Sequence, residues 1–193
     1  RAIISYLFKT QDKTGCWRIR THRPPLEDSH FTATALAMRC LVEFVDVADR
    51  NESLNSAVAW LRKAKPKSTE DHTFKLLGLH WAKDTELEAS AAKILLEMQR
   101  VDHGWSQLPN MKSDAYATGQ VLAALRSVGL LKADTKQYRL GVKWLIENQE
   151  KDGSWKVKTR SKPIQKFFDS GFPHGKDQFI SISATCWAVM ALV

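Results

Sequence analysis

Apolar residues recur every three to four positions along most of the chain, which is the spacing of an amphipathic α-helix. One well-defined stripe consists of Ala33, Leu36, Ala37, Cys40, Leu41 and Phe44. The pattern predicts an all-α fold of eight helices paired in four hairpins, and it needs no β-strand. We expect one domain, residues 1–193, with hairpin repeats at about 1–50, 51–83, 84–133 and 134–193.

Side chains that can cap helices stand before several of these stripes. Asp28 or Ser29 precedes the stripe that begins at Ala33, and Ser113 or Asp114 precedes a later one. Such side chains accept hydrogen bonds from the free N–H groups at a helix start. We also expect helices near residues 54–64 and 71–82, and a capping box at two other helix starts. The predicted boxes pair Thr85 with Glu88 and Asp134 with Gln137.

One motif occurs near both ends of the chain and once in between. It consists of a helix end, a glutamine, a short turn, a glycine and a tryptophan. Its copies are Leu7, Gln11, Gly15 and Trp17; Leu95, Gln99, Gly104 and Trp105; and Leu145, Gln149, Gly153 and Trp155. A worn copy begins at Trp60 and lacks the Gly-x-Trp. Recurrence of this kind predicts a repeat architecture in which the glutamines and tryptophans join adjacent hairpins and carry no chemistry.

These copies resemble the QW repeat of the squalene-cyclase and prenyltransferase superfamily. The resemblance covers nearly the whole chain and implies an α/α toroid, with an outer and an inner ring of helices. The same toroid carries several unrelated activities, so it does not by itself imply cyclase chemistry. The D-x-D-D acid motif of class II terpene cyclases and the D-x-C zinc element of protein prenyltransferases do not occur in this sequence. We therefore expect no metal and no cofactor.

Polar residues near the starts of the second helices are the candidates for chemistry. In the resembled family these ends point towards the central cavity, so their side chains would face one space. Aligning the Ala-Thr pairs at 33, 117 and 184 places His30, Asp114 and Ser181 at equivalent positions. Such groups suit acid–base chemistry, with Asp114 and His30 as catalytic candidates, although helix capping alone also explains the Asp and Ser residues. The whole candidate rim is Asp28, His30, Asp71, His72, Asp114 and Ser181.

The net charge of +8 is concentrated after two of the tryptophans. Arg18 and Arg20 follow one, and Lys156 and Lys158 follow another, in alternating basic and apolar order. These four side chains are the anion-binding candidates, because a basic ribbon attracts lipid headgroups, a diphosphate or an acidic polysaccharide. The alternative interpretation is that these side chains form a solvated surface, because long basic side chains commonly keep their charged ends in water. No nucleic-acid-binding motif accompanies the ribbons, so nucleic acid is not an expected partner.

Composition narrows the class of protein further. The chain is 44% hydrophobic, which is enough to build one ordinary core. No run approaches 18 uninterrupted apolar residues, so a membrane-spanning helix is not expected. The three cysteines are odd in number and lack the spacing of a metal site. Both ends of the chain fall within predicted helices, so we expect this segment to belong to a longer protein.

Three functions fit these observations. The favoured one is a toroid domain that is non-catalytic in isolation and binds an isoprenoid-like or other apolar ligand, or a partner protein. The first alternative is part of a terpene-cyclase-like or prenyltransferase-like enzyme whose acid lies outside this segment. The second is a toroid enzyme that acts on an anionic polysaccharide through His30, Asp114 and the basic ribbons. We expect the apolar ends of the chain to associate with further repeats or a second copy, and a membrane surface is another candidate partner.

Overall fold

The computed structural model describes residues 2–193, and that part of the chain is helical. It contains eight α-helices, a short 3₁₀ turn at Gly175–Asp177 and no β-strand within those residues. The helices are α1 Ala2–Thr10, α2 His30–Phe44, α3 Val47–Lys63, α4 Thr69–Trp81, α5 Thr85–Glu97, α6 Ala115–Ser127, α7 Lys136–Glu147 and α8 Gln178–Leu192. This confirms the prediction of an all-α fold with eight helices.

The helices form two layers. The second helices of the hairpins pack side by side in chain order, α2 on α4, α4 on α6 and α6 on α8, and form the inner layer. The first helices lie outside them, and α3, α5 and α7 pack chiefly on the inner helix of the preceding hairpin. Each hairpin therefore interlocks with its neighbour, as expected of a repeat that cannot bury its apolar faces alone.

Helix α6 lies at the centre of this packing. All eleven residues from Ala115 to Leu125 are buried. Gly119 permits the close approach of α8, because a Cβ atom at this position would lie 2.6 Å from the backbone nitrogen of Ala188. Ala184, Ala188 and Ala191 are the fully buried alanines that α8 contributes. Small residues on both helices thus let two backbones pack tightly.

Helix α1 is the opposite case. None of its described residues is buried. Ile3 is 69% exposed and Tyr6 is 65% exposed. It is an outer helix with no preceding hairpin in this structure, so its apolar side chains lack the inner helix on which α3, α5 and α7 rest.

Two of the expected helix caps are present. The Ser29 hydroxyl accepts from the N–H groups of Phe31 and Thr32 at the start of α2. The Asp114 carboxylate accepts from the N–H of Ala117 at the start of α6, over 3.0 Å. Both caps follow from a local rule, since the side chain bonds two or three residues along its own chain.

The two predicted capping boxes are wrong. Asp84 caps α5 by accepting from Leu87 N–H, and Thr135 caps α7 by accepting from Tyr138 N–H. Glu88 instead contacts the Nδ1 atom of His80 at 2.9 Å, so tertiary contact has diverted it from the helix end.

A capping box that the sequence analysis missed lies at the start of α4. It pairs Ser68 with Asp71. Helix α3 also begins at Val47, seven residues before the predicted start, because the turn after α2 is shorter than expected.

Candidate functional site

The three tryptophans of the repeated motif make the same two hydrogen bonds. Each indole N–H donates to a carbonyl of the preceding outer helix over 2.7 to 2.8 Å: Trp17 to Leu7, Trp105 to Leu95 and Trp155 to Leu145. Each tryptophan backbone N–H donates to a threonine hydroxyl of the inner helix: Thr34, Thr118 and Thr185. The segment after each tryptophan is thereby held near the N-terminal end of an inner helix.

Two of the three motif glutamines connect neighbouring hairpins, whereas the amide of Gln149 donates to the carbonyl of Gly153 within its own turn. The side-chain amide of Gln11 donates to the carbonyl of Gly15 at 2.8 Å and to that of Ser53, on α3, at 2.9 Å. Gln99 donates in the same way to the carbonyls of His103 and Gln137, on α7. These contacts fit the structural interpretation of the motif, because both donors of the Gln11 and Gln99 amides are used by backbone carbonyls.

The three side chains aligned by the Ala-Thr pairs have a common structural role. The Nδ1 atom of His30 accepts from the N–H of Ile19 at 3.3 Å, and the hydroxyl of Ser181 accepts from the N–H of Val157 at 3.1 Å. Asp114 accepts from the side-chain amide of Gln107 at 3.0 Å. Each partner stands two residues after a motif tryptophan. These groups therefore anchor the segments that cover the helix ends, and burial raises the pKa of Asp114.

Two of the other three rim candidates are also used within the fold. Asp71 accepts from the hydroxyl of Ser29 at 2.6 Å, which ties the cap of α2 to that of α4. Asp28 contacts His22 at the surface. His72 is half-buried, and burial lowers its pKa. None of the six candidates lines either the enclosed cavity or the apolar groove described below.

A buried polar network that sequence reasoning missed lies between the inner helices. The Glu70 side chain on α4 is 5% exposed. Its carboxylate accepts from the hydroxyl of Thr32, on α2, at 2.7 Å and from that of Tyr116, on α6, at 2.8 Å. The amide of Gln120 donates to the Tyr116 oxygen at 3.4 Å. One carboxylate thus joins three inner helices.

Burial changes the protonation of this network. It raises the pKa of Glu70 from 4.5 to about 7, and the hydrogen bonds from Thr32 and Tyr116 only partly oppose the rise. Burial, followed by the neighbouring Glu70, raises the pKa of Tyr116 well above 10.0. A carboxylic acid that titrates near neutrality can hold or release a proton. The enclosed cavity beside it measures about 10 Å³, however, which is room for a single water molecule.

Arg160 connects this region to the long segment between Trp155 and α8. Its Nε atom donates to the side-chain oxygen of Gln107 at 2.7 Å, and the Gln107 amide in turn bonds Asp114. We call residues 156–176 the connector. The guanidinium of Arg160 therefore holds the middle of the connector against the start of α6.

An open apolar groove lies beside the connector. Its volume is about 730 Å³, and its walls are the proline turn at residues 23–27, the connector and the start of α8. Its main apolar side chains are Pro24, Pro25, Leu26, Pro163, Ile164, Phe167, Phe168, Phe179 and Ile180. We call this feature the connector groove.

The apolar side chains of the connector groove are unusually accessible. Phe167 and Phe168 are each 64% exposed, and Ile164 is 61% exposed. Its cationic residues are Arg23, Lys158, Lys162, Lys166 and Lys176. Within residues 2–193 Arg23 pairs with Glu27 at 3.5 Å, whereas the four lysines have no carboxylate within ion-pair distance.

The structure separates the four anion-binding candidates. Arg18 contacts Asp12 and, with Arg20, lines a second groove between α1 and α2. Lys158 lines the connector groove, whereas Lys156 is exposed outside it. The two basic ribbons of the sequence thus contribute to different surfaces.

Local sequence gave little sign of the network or of the groove. Glu70 stands in the first turn of a helix, where an acidic residue is expected for its interaction with the helix dipole. The aromatic pair Phe167-Phe168 lies in an irregular segment with no periodicity to indicate its exposure. The run of alternating lysines was the one available signal for the groove.

No group of three or more His, Cys, Asp or Glu side chains in residues 2–193 is arranged to hold a metal ion. None of the helices in the same range is both long enough and apolar enough to cross a bilayer.

Comparison with known protein families identifies the family that has this architecture. No curated protein matches the chain. The family model described as the squalene-hopene cyclase C-terminal domain matches residues 67–193, which are 127 of the 193 residues. The match begins just before α4 and includes Glu70, Asp114 and the whole connector. With the all-helical two-layer structure, it confirms the predicted α/α toroid and the resemblance to the squalene cyclases. The chain therefore belongs to the squalene-hopene cyclase C-terminal domain family.

Proposed function

We propose that this domain binds an apolar, chain-shaped ligand in the connector groove and is non-catalytic in isolation. The observation that carries the proposal is the groove itself, an apolar cleft of about 730 Å³ with accessible Phe167 and Phe168. Such a volume lies within the range of small-molecule sites in proteins. The ligand is isoprenoid-like or another long hydrocarbon chain.

The hydrophobic effect is sufficient to drive this binding. Each of the two phenylalanines presents on the order of 100 Å² of apolar surface, and covering that area contributes about 2.5 kcal/mol. Ile164 and Phe179 add further exposed apolar surface on the same groove. A chain that covered all four side chains would therefore gain enough free energy for micromolar binding after association costs.

The engagement of the carboxylates supports the non-catalytic part of the proposal. Asp114 caps α6 and Asp71 completes the capping box of α4, and each accepts a further hydrogen bond within the fold. The pKa of Glu70, about 7, would suit a general acid near neutral pH. The cavity beside it, however, has room for only about one water molecule and none for a substrate. The cyclase alternative would place the acid on repeats outside this segment. In the polysaccharide alternative the catalytic groups would be His30 and Asp114, and both already accept hydrogen bonds within the fold.

Displacement of a neutral fluorescent alkyl-chain probe tests the binding site. The double variant Phe167→Ala/Phe168→Ala should weaken probe binding by tenfold or more, because it removes the two largest accessible apolar side chains of the groove. Ile146→Ala is the matched control, since Ile146 is 57% exposed on α7 and lines neither the connector groove nor the other open grooves. Equal affinity in the double variant would overturn the assignment of the groove.

Incubation with squalene tests the absence of catalysis. We expect the substrate to be recovered unchanged when products are extracted and separated by gas chromatography. Turnover that disappears in Asp114→Asn or Glu70→Gln would overturn the non-catalytic proposal and favour the cyclase alternative.

Association through the hairpin edges stays a prediction. At the first edge, Ile3, Phe8 and Phe44 line an open apolar groove, and at the last edge Val189 and Met190 are about half exposed. Light scattering should show an apparent mass that rises with protein concentration. A strict monomer at high concentration would contradict self-association.

A further inference from the structure

The connector groove combines an apolar surface with cations that the protein leaves unpaired. Lys158, Lys162, Lys166 and Lys176 line it, and no ion pair within residues 2–193 involves any of them. A purely hydrocarbon ligand would gain nothing from these four positive charges. Their presence is therefore an independent observation about the chemistry of the ligand.

The acidic residues of the same segments already have partners in the protein. Asp169 accepts from the N–H of Gly171 at 2.9 Å, and Asp177 accepts from the N–H of Thr159 at 2.9 Å. Glu27 pairs with Arg23. The nearby carboxylates thus stabilise the walls of the groove and are not paired with its lysines.

The lysines repel each other as long as nothing neutralises them. The chain as a whole carries a net charge of +8, so the surrounding field adds to that repulsion. An anionic group beside the lysines would relieve it, while the apolar stems of the lysines remain in contact with a hydrocarbon tail.

We infer that the ligand of the connector groove is a single-chain amphiphile, whose tail covers Phe167 and Phe168 and whose carboxylate or phosphate head is held by the groove lysines. This inference rests on the proposed function, because it names the class of ligand for the same site. The shared chemistry is one long alkyl or isoprenoid chain that ends in an anion.

A chain-matched series tests the inference. The ligands are one long alkyl chain ending in a carboxylate, a phosphate or a hydroxyl, each used below its micelle concentration and measured by displacement of the neutral probe. At low salt both anions should bind about tenfold more tightly than the alcohol, because two or more exposed ion pairs form. This preference should shrink as salt is added. A difference between the carboxylate and phosphate arms identifies which head group the site prefers.

Matched variants locate the effect. Lys162→Gln/Lys166→Gln should remove most of the preference for the anions and leave the affinity for the alcohol unchanged. Lys132→Gln/Lys136→Gln removes the same charge from exposed positions outside the groove and should keep the preference. Equal loss in both double variants would overturn the inference, since it would show only a general effect of net charge.

The remaining outcomes separate this inference from the proposed function. If the three chains bind equally well, the anionic head is wrong and the apolar-chain site stands. If none of them binds and the neutral probe is not held either, the proposed function fails and the inference fails with it. If the protein binds vesicles of anionic phospholipid but no monomeric chain, the surface docks on a membrane and the inference is overturned.

Discussion

Pro25 lines both the small cavity beside Glu70 and the connector groove, so these two regions are neighbours. Their polar groups differ in whether they have partners within the protein. Both oxygens of the buried Glu70 carboxylate have hydroxyl partners on neighbouring helices. The groove lysines face solvent with no partner among the described residues. The difference shows that the polar groups of the network stabilise the domain, whereas the groove lysines are free to bind a ligand.

Desolvation explains why these two regions differ. A buried carboxylate without hydrogen bonds is strongly unfavourable, so Glu70 is tolerated only because Thr32 and Tyr116 supply donors. An exposed lysine keeps its hydration and needs no internal partner. Changes in the first region should therefore alter folding, whereas changes in the second should alter binding alone.

The largest expected effect is a lower free energy of unfolding of the whole domain, which would disrupt both regions. Trp155 is 2% exposed and precedes the connector, so Trp155→Ala should destabilise the domain by roughly 3 to 5 kcal/mol. Urea denaturation followed by circular dichroism measures the change. Probe affinity should fall only as the folded fraction falls. A variant that is equally stable but has lost binding would instead place Trp155 in the ligand site.

The second prediction concerns the pH dependence of the network. The folded state holds the Glu70 proton more tightly than the unfolded state, because the pKa is about 7 in the fold and ordinarily 4.5. The contribution of Glu70 to the free energy of unfolding should therefore fall by roughly 3 kcal/mol as pH rises from about 4.5 to above 7.

Comparison of two proteins isolates this contribution. Glu70→Gln should lose that part of the pH dependence and gain stability relative to wild type as pH rises to 8. Urea titrations of both proteins across this range provide the measurement. Parallel stability curves would show that Glu70 does not titrate between the two states.

The third prediction weakens the network without removing its charge. Tyr116→Phe takes one donor from Glu70 and the oxygen partner from Gln120, so it should cost about 1 to 3 kcal/mol. It should also raise the pKa of Glu70 further, since the Tyr116 hydrogen bond lowers it. Tyr6→Phe is the control, because Tyr6 is 65% exposed and its loss should leave stability unchanged.

The smallest effect on stability is expected in the groove. Lys162→Gln/Lys166→Gln should change the free energy of unfolding by less than about 0.5 kcal/mol, because both side chains are exposed and unpaired. Thermal and urea denaturation beside wild type check this. A loss as large as that of Tyr116→Phe would mean that the lysines support the fold and would remove the contrast between the two regions.

Several features of the fold were predictable because they depend on residues close in the chain. The 3.6-residue period predicted the helices. It also narrowed two helix starts to Asp28 or Ser29 and to Ser113 or Asp114, and the caps in the structure are Ser29 and Asp114. The three tryptophan contacts link residues ten positions apart. The capping-box prediction at Thr85 failed because Glu88 is drawn to His80, a contact that sequence spacing alone does not indicate.

The sequence is enough to predict the all-helical class, the repeated tryptophan motif and the basic stretch that lines part of the groove. Tertiary structure alone decided that Glu70 meets Thr32 and Tyr116, which are 38 and 46 positions away. It also decided that the proline turn at residues 23–27 faces the connector across an open groove. The physical reason is that periodicity records which side of a helix is apolar, whereas the pKa of a buried carboxylate and the shape of a groove depend on which distant segments meet there.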